Sequence, residues 1–354
     1  MAPPIRVLHV AKSLGLGGTE KVMQLLAAHL DPDLFQAAVH SPEDGPRGPL
    51  LRAAGVPTHI GPDLFKTLSA FRPQVVHLHR AGWPEPELLR PIQSARVPVV
   101  VETNVFGRHD PSPQARIIDR TLFVSHFCAQ RFAAQTGIPA EPPRFGVLYN
   151  PVDTDLFARL CPPREQQAPA AGRLSRPDPG KWSDLALDFL PETVRALPGF
   201  CYRVVGGIPK AEAFVREHHL ENAVEFLPPL DTDEDLAAFF NSVSLLAHAN
   251  DTGESFGLAI AEAMAAGLPV VTHPSEGLRD NAQLELVEHG VTGLVARDAH
   301  EYARAVVFLL GHPEEARAMG EAGRAKAARL FRVQDRAQEL GGIYRELLAA
   351  KGLG

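Results

Sequence analysis

Short apolar runs alternate with amphipathic stretches along nearly the whole chain. No other feature restricts its possible folds as much. Runs at residues 6–10, 35–40, 57–60, 75–79, 97–103, 121–124 and 146–149 have the length of strands. Residues 20–30 carry apolar positions at helical spacing, and helical stretches or short loops separate the later runs. Parallel strands need crossover connections, usually helices, so the alternation predicts βαβ units and a parallel sheet. The pattern breaks at residues 161–171, which are polar, Pro-rich and without period, and read as a linker or the edge of a second unit. A second series follows. Strands are expected at 171–174, 202–205, 223–227, 243–247, 269–272 and 293–296, with helices at 183–196, 210–219, 233–241 and 256–266. Three helical stretches close the chain, the last over 333–348.

The expected fold class is therefore α/β: two Rossmann-like, doubly wound parallel-sheet domains facing a central cleft. Residues 1–158 would form the first domain and 159–332 the second, with a closing helix within 333–354 that crosses back to the first. Open α/β sheets take ligands at the carboxyl ends of their strands.

Composition narrows the function classes. With 354 residues, 45% of them hydrophobic, the chain can bury two cores. A net charge of −7 argues against a nucleic-acid partner. The first 158 residues are near neutral and the acidic excess follows them. That fits two units with different partners and ordinary surface variation about equally well. Cys128, Cys161 and Cys201 are far apart, so neither a zinc site nor a disulfide framework is expected, and a reducing cytoplasm is the natural compartment. The beginning of the chain lacks a signal-peptide pattern, and no segment approaches the roughly 20 apolar residues of a membrane span. The Arg-rich closing helices allow at most weak peripheral contact with anionic lipid, since their acids are as frequent as their bases.

The chemistry concentrates at residues 254–262, Glu-Ser-Phe-Gly-Leu-Ala-Ile-Ala-Glu. They follow a predicted strand and a polar loop, and they open an Ala-rich helix. The first-turn amides of a helix lack partners and its dipole favours an anion, so Phe256, Gly257 and Leu258 would offer N–H groups to a phosphate. Gly257 would leave the backbone uncovered. Glu262, about two turns beyond Glu254, could reach ribose hydroxyls. Alone, two spaced acids read more readily as a first-turn acid and a solvated helix residue. The context is Arg173 at the end of a predicted strand and Lys181 after the turn 177–180. Both are cations suited to a diphosphate. Lys181 is not a Walker lysine, because Trp182 follows it. Gly17 and Gly18 sit between a predicted strand and helix without the third glycine of the dinucleotide fingerprint. They would permit close approach of a substrate or simply make a tight turn.

These motifs together resemble retaining glycosyltransferases of family 4, which have the GT-B fold. Gly17, Gly18 and Glu20 match, as do Asn150, Pro151, Val152, Asp153 and Phe157. So do Gly172, Arg173, Leu174 and Lys181, Gly206 and Gly207, the whole of 254–271, and 288–294. The resemblance implies transfer of a sugar from a nucleotide-sugar donor, UDP- or GDP-linked, to a glycan, lipid-linked saccharide or small-molecule acceptor. It implies no cofactor and no required metal. Arg173 and Lys181 would hold the diphosphate and stabilise the leaving nucleotide. Ser255, Phe256, Gly257 and Leu258 would line the phosphate. Glu254 would contact the transferred sugar, and Glu262 the ribose. Gly17 and Gly18 would lie near the sugar or acceptor. The alternatives are a GT-B nucleotide-sugar epimerase or phosphorylase, and a degenerate sugar-nucleotide binding module.

One position departs from the family. Many relatives carry a His after the strand at 97–103, where this chain has Asn104. An amide cannot act as a general base but can hydrogen-bond a sugar hydroxyl. His79 and His109 are candidate substitutes. Three patterns are discounted. Asp231-Thr232-Asp233 resembles a metal-binding DxD but leads into a helix, where capping is expected. His77 and His79 resemble a metal pair without an evident third ligand. Asn250-Asp251-Thr252 is a glycosylation sequon only by pattern.

Overall fold

The computed structural model describes residues 3–163, 169–277 and 279–353; of the predicted linker at 161–171, residues 164–168 lie outside them. The chain forms two compact units, one of residues 1–151 with 332–354 and one of residues 152–331.

The first unit is built on seven strands: β1 (Ile5–Val10), β2 (Phe35–Ser41), β3 (Thr58–Ile60), β4 (Val75–Arg80), β5 (Val99–Asn104), β6 (Arg120–Phe123) and β7 (Phe145–Val147). Their order is β3-β2-β1-β4-β5-β6-β7 and every pairing is parallel. β4 and β5 are buried along their full length, including the polar residues His77, His79, Arg80, Glu102, Thr103 and Asn104 toward their carboxyl ends. Leu8, Val76, Leu78 and Val100 form a core with Leu89 and Ile92 of the helix Pro86–Ser94. Met23 and Ala27 of the helix Gly18–His29 pack with Val39, Leu51 and Val56 in another cluster. The closing helix Val333–Ala350 belongs to this unit and packs on β5 and the helix Gly18–His29. A Cβ on its Gly341 would fall 2.9 Å from the ring of Phe35, and Tyr344 meets that ring edge-on at 6.0 Å.

The second unit contains β8 (Ala170–Leu174), β9 (Cys201–Val205), β10 (Val224–Leu227), β11 (Leu245–Ala247), β12 (Gly253–Glu254), β13 (Val270–Thr272), β14 (Asp280–Asn281) and β15 (Gly293–Val295). Six of them form a parallel sheet in the order β10-β9-β8-β11-β13-β15, and β12 pairs with β14. Tyr202, Phe189 and Tyr302 meet in its core. The helix Leu258–Ala265 is buried from Ile260 to Ala265. The helix Pro313–Phe331 comes close to its end because both sides are small: a Cβ on Gly320 would sit 2.1 Å from the Gly267 carbonyl oxygen. In each sheet the strand order reverses, between β1 and β4 and between β8 and β11. The ligand crevices of doubly wound sheets open at such reversals.

Three elements differ from the sequence reading. The helix expected at 183–196 is two pieces, Leu185–Asp188 and Leu190–Ala196, because Pro191 has no N–H to continue the ladder. Glu254 lies on β12 rather than in a helical first turn; a two-residue strand has no period to read. The helix begins at Leu258, with Gly257 as its cap at φ 100°. In agreement with the reading of Asp231-Thr232-Asp233, Thr232 closes a capping box with Asp235. No helix among the described residues is long and apolar enough to cross a membrane.

Candidate active site

In the second unit, the segments after β8 and β11 meet at the strand-order reversal. Asn250 donates its amide Nδ2 to Glu254 Oε1 at 2.8 Å. His248 Nε2 is 3.3 Å from the same oxygen and Lys181 Nζ 3.5 Å. Burial pushes the Glu254 carboxyl up. The bond and charge of His248, the charge of Lys181 and the Asn250 amide outweigh it and hold the group at about 2, so Glu254 is an anion throughout the physiological range. The peptide N–H of Glu254 donates to Gln283 Oε1 at 3.2 Å, and Ser255 Oγ donates to Asp280. β12 and β14 thus fix the carboxylate from its backbone side.

The loop after β11 is held as firmly. Asn250 N–H donates to His273 Nε2 at 3.0 Å, while His273 Nδ1 bonds Pro274 O at 2.9 Å. This pairing requires the neutral Nδ1–H tautomer, and burial lowers the His273 pKa in the same sense. Thr252 bridges Asn250 Oδ1, at 2.7 Å, and Gly180 O, at 3.2 Å, tying the Glu254 loop to the Lys181 turn.

Gly257, at φ 100°, turns the chain into the helix in a conformation that only glycine adopts without strain. The first-turn N–H groups beyond it, Leu258 among them, have no partner within the helix. Phe256 is buried and packs edge-on against Phe331, which anchors the turn. Glu262 is also buried, so it is not the solvated residue that two spaced acids alone suggest.

Arg173 stands near the end of β8, as the sequence predicts. It is 1% exposed. Its NH1 donates to Ala249 O at 2.8 Å and its NH2 to Lys181 O at 2.6 Å, while the guanidinium stacks 4.0 Å from the centroid of the Trp182 ring. It therefore joins the ends of β8 and β11 from below.

Gly17, Gly18, His79, Asn104 and His109 belong to the first unit. Gly17 caps the helix that Gly18 begins, and a Cβ on Gly17 would meet Glu20 Oε2 at 2.2 Å. Asn104 is 2% exposed with both amide atoms engaged. Its Nδ2 donates to Glu102 at 3.1 Å and to Arg108 O at 2.8 Å, and its Oδ1 accepts from Arg108 N at 3.2 Å. Gly82, at φ 88°, leaves the space: a Cβ there would lie 2.4 Å from the amide. Arg80 pairs with Glu102 at 2.6 Å and Asp110 at 2.9 Å, closing a buried network beneath the same loop. His109 is exposed and meets Phe132 edge-on at 5.8 Å.

The third histidine that the sequence did not supply for His77 and His79 is His9, across the β1–β4 pairing. His9 Nδ1 and His79 Nε2 share a proton at 3.0 Å, and His77 bonds the hydroxyls of Tyr344, at 2.5 Å, and Thr103, at 2.8 Å. The rings stack with interplanar angles of 15° to 25°. Ligands of one metal aim their in-plane lone pairs at a common point, which near-parallel stacked rings do not do. Burial lowers His9 to about 3 and holds His77 and His79 well below the ordinary imidazole range.

His248, His273, Asp280 and Gln283 are the site residues that sequence reasoning missed. His248 and His273 each follow a strand and were open to discovery as strand-end polar groups; Asp280 and Gln283 reach the site through the β12–β14 pairing.

The profile described as "Glycosyl transferases group 1" matches residues 167–312, within the second unit. The GDP-mannose-dependent alpha-(1-6)-phosphatidylinositol monomannoside mannosyltransferase of Mycobacterium tuberculosis is 33% identical over 226 residues, 58% of this chain and 56% of that protein. The chain thus spans little more than half the length of that relative. The D-inositol 3-phosphate glycosyltransferase of Segniliparus rotundus is 28% identical over 319 residues, 80% of this chain and 68% of that protein. Among solved structures, HepE of Anabaena in complex with UDP and glucose has a TM-score of 0.76 at 21% identity, covering 97% of this chain and 100% of that one. A glycosyltransferase of Rickettsia africae has a TM-score of 0.80 at 16% identity, covering 98% and 99%. Residues 167–312 thus match the glycosyl transferases group 1 family, and the chain has the GT-B fold.

Proposed function

We propose that the protein is a retaining glycosyltransferase that needs no metal. It moves a sugar from a UDP- or GDP-linked donor to a glycan or lipid-linked acceptor. One observation carries the reading. A half-buried carboxylate, Glu254, is kept ionised by His248, Lys181 and Asn250, one short turn before a glycine-capped helix N-terminus. In this reading the anion lies beside the sugar, and the cation with the backbone amides lies beside the diphosphate. A developing positive charge at the anomeric carbon is stabilised by the first, and the departing phosphate by the second. No pair of carboxylates in glycosidase geometry is needed if the acceptor attacks from the face the phosphate leaves and passes its proton to that phosphate. Glu262, buried on the same helix, serves the ribose. On the first unit, the Gly17–Gly18 turn and the exposed His109 remain available to the acceptor, whereas the Asn104 amide is spent on its own loop. The names of the relatives favour a GDP-mannose donor and an inositol-bearing acceptor, and the UDP complex of HepE keeps UDP-linked sugars in view.

A thermal-shift screen against UDP-, GDP-, ADP- and CMP-sugars identifies the donor, since a ligand that binds the folded state raises its melting point. Transfer is then measured for Glu254→Gln and Lys181→Ala. Both should nearly abolish it with the circular dichroism unchanged; full activity in both sinks the reading. The anomeric configuration of the product tests retention, and activity after chelation tests metal independence. Conversion of the donor without acceptor would point to an epimerase instead.

A further inference from the structure

We infer that His273 is a positioning residue for Glu254: its unprotonated ring nitrogen takes the Asn250 peptide N–H and so seats the Asn250 amide on the carboxylate. This rests on the nucleotide-sugar reading above.

β11 and β13 pair through a regular series. Leu246 N–H donates to Pro269 O at 3.1 Å, and His248 N–H to Val271 O at 2.8 Å. The next step in the same register would take Asn250 N–H to the His273 carbonyl. That oxygen is used elsewhere, accepting from Gln283 Nε2 at 3.0 Å. The ring of His273 supplies the missing acceptor, with Nε2 3.0 Å from Asn250 N. A side chain thus extends the ladder one step past the strands, to the residue that holds Glu254. Asn250 is committed on every side. Its Nδ2 donates to Glu254 Oε1 at 2.8 Å and to Gly253 O at 3.2 Å. Its Oδ1 accepts from Thr252 N at 3.0 Å, and its carbonyl from Gly253 N at 3.1 Å. The amide makes the shortest contact with Oε1; His248 Nε2 stands at 3.3 Å and Lys181 Nζ at 3.5 Å. Glu254 Oε2 makes no hydrogen bond or ion pair among the described residues, so it is the oxygen left for a sugar hydroxyl.

The hold exists in one protonation state. His273 Nδ1 lies 2.9 Å from the Pro274 carbonyl, which can only accept, so Nδ1 carries the proton and Nε2 the lone pair. A proton on Nε2 would set N–H against N–H and release Asn250. Burial lowers the His273 pKa from the ordinary imidazole value and protects the contact at neutral pH. Three other groups act on it. Arg173 from β8 and a protonated His248 from beyond β11 oppose a further proton, and Asp251 of the same loop favours one. Gln283, which meets it from the helix Gln283–Leu286, is neutral. The hold is therefore intact while His273 is neutral and is lost as the pH falls through its pKa in the folded chain. Glu254 stays ionised down to about 2, so a loss of activity in mild acid is not its own titration.

The test is the pH profile of sugar transfer for the wild type, His273→Gln and His273→Leu, over the range in which circular dichroism stays native. Glutamine offers an oxygen acceptor near the place of Nε2 and does not titrate. Wild-type kcat should be level above the ordinary imidazole value of about 6.5 and fall in acid. His273→Leu should lose about tenfold or more of kcat at every pH, the worth of one buried hydrogen bond. His273→Gln should recover most of that loss and stay level in acid. Calorimetric affinity for the free nucleoside diphosphate, which lacks the sugar, should match the wild type in both variants. An acid limb in His273→Gln identical to that of the wild type overturns the inference, and this profile alone decides if the leucine variant does not fold. Full kcat in His273→Leu, or an equal loss of nucleotide affinity, overturns it as well. Each of these leaves the transferase reading intact. A wild type that neither binds nor consumes any nucleotide sugar overturns both.

Discussion

Replacing Arg173 with methionine separates its structural hold from any contact with ligand. The substitution keeps length and apolar body but removes the donors to Ala249 O and Lys181 O and the contact with Trp182. Each hydrogen bond from a charged donor is worth about 1.5–3 kcal/mol, and a desolvated cation–π contact about 2 kcal/mol. Against this stands the cost of burying the guanidinium, on the order of several kcal/mol, which methionine relieves. The balance is a loss of about 3 kcal/mol, because the two carbonyls are left without partners. For a folding unit of this size, that corresponds to a fall of roughly 6–12 °C in melting temperature. Differential scanning calorimetry without ligand reads it directly. A melting point within about 2 °C of the wild type, with diphosphate affinity lost, would refute the argument and return Arg173 to the ligand.

Two further predictions concern the scaffold. The stacked imidazoles of His9, His77 and His79 stay neutral when folded but take up protons near 6.5 when unfolded. Their contribution is therefore intact above 6.5 and is lost as the pH falls below it, by up to about 1.4 kcal/mol per pH unit for each histidine. Urea unfolding of His9→Leu should show a shallower decline than the wild type between those limits; parallel declines would show that the stack does not set the slope. Gly206→Ala should cost well over the roughly 1 kcal/mol of a left-handed alanine, because its Cβ would strike the Ser175 carbonyl. Gly55→Ala, at φ 77° with open space around it, should cost only that strain. Equal melting points for the two variants would contradict the packing of the Lys181 loop.

The sequence by itself determined the two parallel sheets and the helix after Glu254. Buried strands such as Val99–Asn104 and the Ala-rich helix Leu258–Ala265 follow from local patterns of apolarity, and those patterns survive in any context. It also determined which residue types crowd the second unit's site, because Lys181 follows a readable turn and Glu254 stands just before a readable helix. Tertiary structure decided what these groups do. Only the pairing of β8 with β11 brings Lys181 onto Glu254 and Arg173 onto the Ala249 carbonyl. Only the pairing of β1 with β4 stacks His9 on His77. Only the fold of the Arg108 loop consumes the Asn104 amide. Burial and hydrogen-bond commitment depend on how loops and strands fold against one another, and no local period encodes them. The motif thus gives a strand-end cation, and only the folded chain shows that it also braces the backbone beside Lys181.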